Sequence, residues 1–168
     1  PGHSVLGMLA KHGDVPNVAL RDEDTEAAHL LKPTKDVDEA AGKYRVRGEL
    51  ARGGVGVVYK GHDIDLGRDV ALKYLQTDFS KDRGFVQRFI EEAQIGAQLQ
   101  HPGIVPVYDM GLADGRPFFT MKLVHGETLA SLLGRLRKDP AQAKAWTRFR
   151  RLQLFRTLCN ALAFAHSK

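Results

Sequence analysis

Hydrophobic and polar positions alternate regularly from Tyr44 onward, and this pattern predicts a strand-rich region. The stretch from Tyr44 to Leu50 alternates in the way expected of a strand with one buried face. Later runs are rich in β-branched and aromatic residues, which favour strands. A turn-rich stretch at 111–115 separates the last two of these runs. The predicted strands are 44–50, 55–62, 69–75, 104–110 and 117–124.

Three other segments repeat apolar residues at helical spacing. Residues 83–100 place Phe85 and Phe89 on one face of a predicted helix. Two more helices are predicted at 128–137 and 146–166. The predicted structure therefore mixes strands and helices, with one helix between the third and fourth strands.

Composition places the chain among ordinary globular proteins. Its 168 residues are 43% hydrophobic and 27% charged, which excludes a disordered, collagen-like or coiled-coil chain as a whole. No uncharged stretch approaches the roughly 18 apolar residues of a spanning helix, so no membrane segment is expected. Cys159 is the single cysteine, which fits a reducing compartment and predicts a cytoplasmic location. No metal ligands are predicted.

Charge divides the chain into unequal parts. Residues 1–42 have a net charge of −4 and weak periodicity, and are interpreted as an extension or linker. Residues 43–133 carry a net +1 and residues 134–168 a net +8. The basic excess could be a solvated helical face, or a docking surface for an acidic partner or an anionic membrane. No nucleic acid is expected as a partner, because no nucleic-acid-binding fold or interleaved aromatic platform accompanies it.

Three glycines, Gly53, Gly54 and Gly56, lie between the first two predicted strands. Glycine lets the backbone approach a ligand closely, and successive N–H groups in such a turn can bind phosphate. A simple tight turn is an equally good interpretation of this segment alone. A dinucleotide-binding turn fits badly, because the residues that follow, 55–59, favour a strand and not a helix.

A lysine, Lys73, interrupts the apolar third strand. It could be an exposed residue whose stem lies on the sheet, or a cation held near phosphates and oriented by a carboxylate. Glu91 and Glu92 on the following helix are available. Glu92 precedes Ala93 on the apolar face, so it is the one expected to face the sheet.

These features, in this order, resemble the small lobe of a protein kinase. The stretch Gly48–Lys73 is similar to the start of bacterial eukaryotic-like serine/threonine kinases, and Leu66–Lys73 and Pro117–Val124 especially resemble the planctomycete-type branch. The resemblance runs from about Tyr44 to the end of the chain. It implies an α+β fold class. The parts would be an extension (1–42), a small lobe (43–125) with a five-stranded antiparallel sheet and the helix that the family calls αC, and the first helices of an incomplete large lobe (126–168).

The resemblance also implies an ATP site. Lys73 would hold the α- and β-phosphates and pair with Glu92, so these two are the expected catalytic residues. Ala51 stands where the family has its first loop glycine, and Lys122 stands where the hinge commonly has Glu. The implied nucleotide-binding residues are Ala51, Gly53, Gly54, Gly56, Val58, Ala71, Lys73, Met121, Lys122 and Val124.

The implied reaction is transfer of the γ-phosphate of ATP, with Mg²⁺, to serine and threonine hydroxyls of protein substrates. The 168 residues contain no His-Arg-Asp, Asp-Phe-Gly or Ala-Pro-Glu string, so the Mg²⁺ ligands and catalytic base are expected downstream and the chain alone is expected to be inactive. A non-catalytic ATP-binding pseudokinase or scaffold module is the alternative. Self-association is expected through the apolar face of the last predicted helix.

Overall fold

The computed structural model describes residues 42–168, so the expectations for the extension lie outside the described residues. The chain divides into two compact units. The first runs to Gln98 and resumes at Pro106–Leu123, and the second comprises Leu99–Val105 and Val124–Lys168. Each unit is described separately below.

A five-stranded antiparallel sheet forms the frame of the first unit, which confirms the predicted fold class. Neighbouring strands lie in the order β1-β2-β3-β5-β4, so β1 and β4 are the two edges. The strands are β1 (Tyr44–Arg52), β2 (Gly56–Asp63), β3 (Arg68–Leu75), β4 (Val107–Ala113) and β5 (Arg116–Lys122).

The bounds predicted for β4 were wrong by three residues at each end. The Ile104 N–H donates to the His101 carbonyl in a turn, and Pro106 has no N–H to donate to a ladder. Pairing with β5 therefore begins at Val107 and continues through the predicted turn to Ala113. Asp114 and Gly115, the two residues between β4 and β5, have positive φ, at 50° and 74°, so the hairpin loop is two residues long.

Side chains of β3 alternate between two differently covered faces. Val70, Leu72 and Tyr74 belong to a core with rings from β1, β2 and β5. Leu75 belongs to a second core on the opposite face, together with Phe119 of β5. This alternation is the period-2 pattern of a strand, and it gives Lys73 the same face as Leu75.

One helix, α1 (Arg83–Gln98), covers part of the second face. Phe89 and Ala93 are its buried residues, and they pack in the core that contains Leu75 and Phe119. The ring centroids of Phe89 and Phe119 are 5.1 Å apart. The apolar spacing that predicted this helix therefore also gave its packing face correctly.

The sheet is strongly curled, so that its edges meet at one end. The Tyr44 ring of β1 packs edge-on against Phe118 of β5, with 6.0 Å between centroids, although the two strands are not neighbours. The Lys43 Nζ atom lies 2.6 Å from Oδ2 of Asp109, and the Tyr44 hydroxyl donates to the same oxygen at 2.8 Å. Asp109 is on β4, so these contacts join the two edge strands.

Three helices make up most of the second unit: α2 (Leu129–Lys138), α3 (Pro140–Ala145) and α4 (Arg148–His166). Thr128 and Thr147 cap α2 and α4 by accepting hydrogen bonds from backbone N–H groups three residues on. The short α3 was not predicted, although Asp139 caps it and Pro140 occupies its first turn. Among residues 42–168, no helix has both the length and the apolar character needed to cross a membrane.

Candidate functional site

The register of the sheet brings several predicted site residues into one cross-strand row. Ala51 pairs with Val58, Val58 with Lys73, and Lys73 with Phe119. Residues directly opposite each other in antiparallel strands share a face. The row therefore runs across four strands on the face that α1 partly covers.

A second row lies beside the first. Ala71 pairs with Met121, and both lie two residues along their strands from the Lys73–Phe119 pair. Ala71 is buried and Met121 half-buried. Val58, Ala71 and Met121 thus form an apolar strip on the same sheet face as the Lys73 ammonium group.

Lys73 is held by a carboxylate from α1. Its Nζ atom lies 2.5 Å from Oε1 of Glu92, and the lysine side chain is 20% exposed while the glutamate is 52% exposed. The ammonium group also lies 5.8 Å and 5.6 Å from the ring centroids of Phe89 and Phe119. Glu91 instead accepts a hydrogen bond from Gln87 within the helix. The structure therefore places Glu92, and not Glu91, beside the lysine.

The glycine-rich loop joins β1 to β2 next to this lysine. The Gly53 N–H donates to the Gly56 carbonyl at 2.9 Å, which closes a tight turn at Gly54 and Val55. A Cβ at Gly56 would lie 3.0 Å from Cε of Lys73 and 3.3 Å from the Tyr74 carbonyl oxygen. Glycine at this position therefore leaves room for the Lys73 side chain to pass over β2.

Sequence reasoning missed Gln76, which follows β3 and contacts the glycine-rich loop. Its Nε2 atom donates to the Gly53 carbonyl at 2.6 Å and lies 3.4 Å from the Gly54 carbonyl. Its backbone N–H donates to the Val55 carbonyl at 3.0 Å. No sequence motif identifies this glutamine. Its partners are backbone carbonyls, which every residue type has, so the sequence does not show that they are bound.

A charged group on the same sheet face was also missed. The Asp69 carboxylate lies 3.0 Å from Lys60 Nζ, 2.8 Å from His62 Nδ1 and 3.7 Å from Arg47 Nη1. Partial burial opposes ionisation of this carboxyl, but the hydrogen bonds from His62 and Lys60 outweigh it and lower the pKa of Asp69. Beyond the apolar strip, β1, β2 and β3 thus carry a charged cluster of one carboxylate and its three basic partners.

Lys122 and Val124, two of the implied nucleotide-binding residues, lie at and beyond the end of β5. Lys122 is the last residue of the strand, and its N–H donates to the Pro106 carbonyl at 3.1 Å. Val124, predicted as part of this strand, follows its end and belongs to the second unit, where it is 65% exposed. The strand therefore ends two residues earlier than predicted, and it begins one residue earlier, at Arg116.

The first unit therefore combines three kinds of group that bind nucleotides in proteins. Lys73 supplies a fixed positive charge, the glycine-rich loop supplies backbone N–H groups, and Val58, Ala71 and Met121 supply apolar surface. Positive charge and backbone N–H groups bind phosphate, while apolar side chains bind a flat base. Across residues 42–168 no group of three or more acidic, histidine or cysteine side chains could hold a metal ion.

The chain is similar to bacterial protein kinases. The protein kinase domain model matches residues 44–168. The serine/threonine-protein kinase PknA of Mycobacterium tuberculosis is 44% identical over 100 residues, which cover 56% of this chain and 23% of PknA. The serine/threonine-protein kinase PrkC of Bacillus subtilis is 34% identical over 126 residues, covering 75% of this chain and 18% of PrkC. The chain thus spans less than a quarter of the length of these relatives.

A solved structure of a bacterial kinase domain has a similar fold. The crystal structure of the Mycobacterium tuberculosis PknI kinase domain superposes with a TM-score of 0.56 at 26% identity, over 74% of this chain and 48% of that domain. Because the family model matches residues 44–168, the chain belongs to the protein kinase domain family, and its relatives named above are bacterial serine/threonine-protein kinases.

Proposed function

We propose that the first unit is the ATP-binding lobe of a protein serine/threonine kinase that transfers the γ-phosphate of ATP to serine and threonine hydroxyls of protein substrates. The observation that carries the proposal is the Lys73–Glu92 pair, 2.5 Å apart, beside the glycine-rich loop and on the same sheet face. In this reaction the protein works mainly by positioning phosphates and neutralising their charge. A cation oriented by a carboxylate is suited to that task.

The described residues fit the tri-phosphate and the base of ATP. Lys73 has three N–H donors and Glu92 accepts one of them, so the other donors remain available to phosphate oxygens. Val58, Ala71 and Met121 would contact the adenine ring, and the loop N–H groups would contact phosphates. When bound, Mg²⁺ would neutralise phosphate charge, and we expect its ligands in the segment that carries the Asp-Phe-Gly motif in kinases.

A pseudokinase is the second candidate, because the 168 residues contain no His-Arg-Asp or Asp-Phe-Gly string. The paired Lys73 and Glu92 favour the kinase, since a lysine oriented by a carboxylate positions phosphates for transfer. We further propose that the 168-residue chain alone transfers no phosphate. The sequence that follows Lys168 in the gene distinguishes the candidates: a His-Arg-Asp string followed by Asp-Phe-Gly supports the kinase.

Nucleotide binding tests the proposal directly. We expect Lys73→Met to weaken MgATP binding by roughly ten-fold or more, because a charge-assisted hydrogen bond to phosphate is lost. Titration of the chain with a fluorescent ATP analogue measures this. Lys81→Met, which removes an exposed lysine from another part of the first unit, is the matched control and should bind as the unaltered chain does. Equal affinity of all three proteins would refute the proposed site.

A further inference from the structure

We propose that Gln76 is a positioning residue that fixes the glycine-rich loop in the orientation its phosphate-binding N–H groups require; this rests on the ATP-binding function proposed above. Three consecutive loop carbonyls are directed at this one residue. The Gly53 and Gly54 carbonyls face its side-chain amide at 2.6 Å and 3.4 Å, and the Val55 carbonyl accepts from its backbone N–H at 3.0 Å.

The direction of these carbonyls determines the direction of the neighbouring N–H groups. A trans peptide group is planar, with its C=O and N–H pointing in opposite directions. The Gly53 carbonyl and the Gly54 N–H belong to one peptide, and the Gly54 carbonyl and the Val55 N–H belong to the next. Because both carbonyls point toward Gln76, both N–H groups point away from it. Two successive N–H groups with one orientation form an anion-binding concavity.

The loop needs such an anchor because of its glycines. Glycine loses more conformational freedom on ordering than any other residue, so Gly53 and Gly54 make a fixed loop entropically costly. Both are exposed, and no side chain of their own limits their conformation. A Cβ at Gly54 would meet nothing within 4 Å. The hydrogen bonds from Gln76 are therefore the contacts available to hold these peptides before a nucleotide arrives.

The chemistry of position 76 follows from its partners. Carbonyl oxygens only accept hydrogen bonds, so the side chain must donate. Methionine has a similar length but no donor, and it removes the side-chain bonds while leaving the backbone bond from position 76 to Val55. Lysine restores a donor at a similar reach. The pair Gln76→Met and Gln76→Lys thus separates loss of the donor from loss of the glutamine itself.

The first measurement is amide hydrogen exchange without nucleotide. The reporter is the Gly53 N–H, which is protected by its bond to the Gly56 carbonyl within the loop. We expect Gln76→Met to speed its exchange roughly three- to ten-fold, the effect of one net hydrogen bond, and Gln76→Lys to return it close to the original rate. Gln98→Met is the matched control, because Gln98 also donates to a backbone carbonyl, that of Gln94, but within α1.

The second measurement compares MgATP with adenosine, which lacks phosphates. We expect Gln76→Met to weaken MgATP binding roughly three- to ten-fold and to leave adenosine binding unchanged, because the loop contacts phosphates alone. General damage to the lobe would weaken both. Gln98→Met should change neither.

The possible results separate the two proposals. If the unaltered chain binds MgATP but Gln76→Met leaves either the Gly53 exchange rate or MgATP affinity unchanged, Gln76 is not a positioning residue. Equal weakening of adenosine and MgATP also overturns that role. If the unaltered chain binds no MgATP, the proposed function fails, and the inference drawn from it fails as well.

Discussion

Gly61 of β2 illustrates how closely single residues in the first unit are packed. A Cβ there would lie 2.0 Å from Cδ1 of Leu72 and 3.3 Å from the Arg45 carbonyl oxygen. Leu72 is fully buried, so its side chain could move only by displacing its packed neighbours. The absence of a side chain at position 61 therefore leaves the space that the Leu72 side chain occupies.

Replacement of Gly61 by alanine should destabilise the first unit. Because the added methyl group overlaps Leu72, we expect the free energy of unfolding to fall by about 1–3 kcal/mol. Urea unfolding followed by circular dichroism measures the change. Gly54→Ala is the control, since its Cβ has open space and its φ is not positive. Equal losses for the two variants would mean that crowding at Gly61 is not the cause.

At the scale of elements, Asp109 connects the two edge strands of the sheet. It accepts hydrogen bonds from Lys43, which directly precedes β1, and from Tyr44, the first residue of β1. Partial burial opposes ionisation of this carboxyl, but the two hydrogen bonds outweigh it and lower the pKa of Asp109. The hydrogen bond to Asp109 likewise raises the pKa of Lys43. The connection therefore depends on charge as well as on geometry.

The Asp109→Asn variant tests this connection through its pH dependence. A carboxyl whose pKa is lowered by folding stabilises the protein above its unfolded pKa of about 4, and this contribution is lost as pH falls through the folded value. Because the pair is partly exposed, we expect a loss of only about 1 kcal/mol at pH 7, vanishing near pH 2. Thermal unfolding across that range measures it.

Asp114→Asn is the control for this series, because Asp114 lies in the exposed β4–β5 turn, where asparagine also tolerates a positive φ. A loss at Asp109 that does not change between pH 7 and pH 2 would show that its charge contributes nothing to the connection.

At the scale of the whole molecule, the second unit exposes apolar side chains along α4. They recur every three or four residues, and each is between 46% and 69% exposed. At 100° per residue this spacing spreads them over about half of the helix circumference. Exposed apolar surface of this extent marks an interaction surface or an aggregation risk. The residues are Phe149, Leu152, Phe155, Leu158 and Leu162.

We expect the chain to self-associate through these exposed side chains. Replacing Phe155 and Leu162 together by glutamine should shift the protein toward monomer, because apolar surface is removed from the contact. Sedimentation velocity at several concentrations measures the change. Leu66→Gln, which alters a single exposed leucine in the β2–β3 turn, should leave association as it was. A monomer at all concentrations before any substitution would contradict the expectation.

The sequence predicted the parts of the fold that depend on periodicity. Phe89 and Ala93 gave the buried face of α1, because helical spacing and burial are linked directly. The start of β4 could not be predicted in this way, because Ile104 and Val105 are residue types that favour strands. The strand nevertheless begins after Pro106, which has no backbone N–H to donate to a ladder. In the candidate site, Lys73 and Glu92 stood out as charges beside apolar positions. Gln76 did not, because its contacts are with backbone carbonyls that no residue type identifies.

The strict alternation along β3 also limits how the length of this lobe can change during evolution. Lys73 lies between buried Leu72 and Tyr74, so one residue inserted within the strand would exchange the faces of every side chain beyond it. A lysine would enter the core and a tyrosine would take its place beside Glu92. The turns at 64–67 and 114–115 carry no such constraint. Insertions and deletions among relatives of this lobe are therefore expected to accumulate in those two turns, while the strands keep their register.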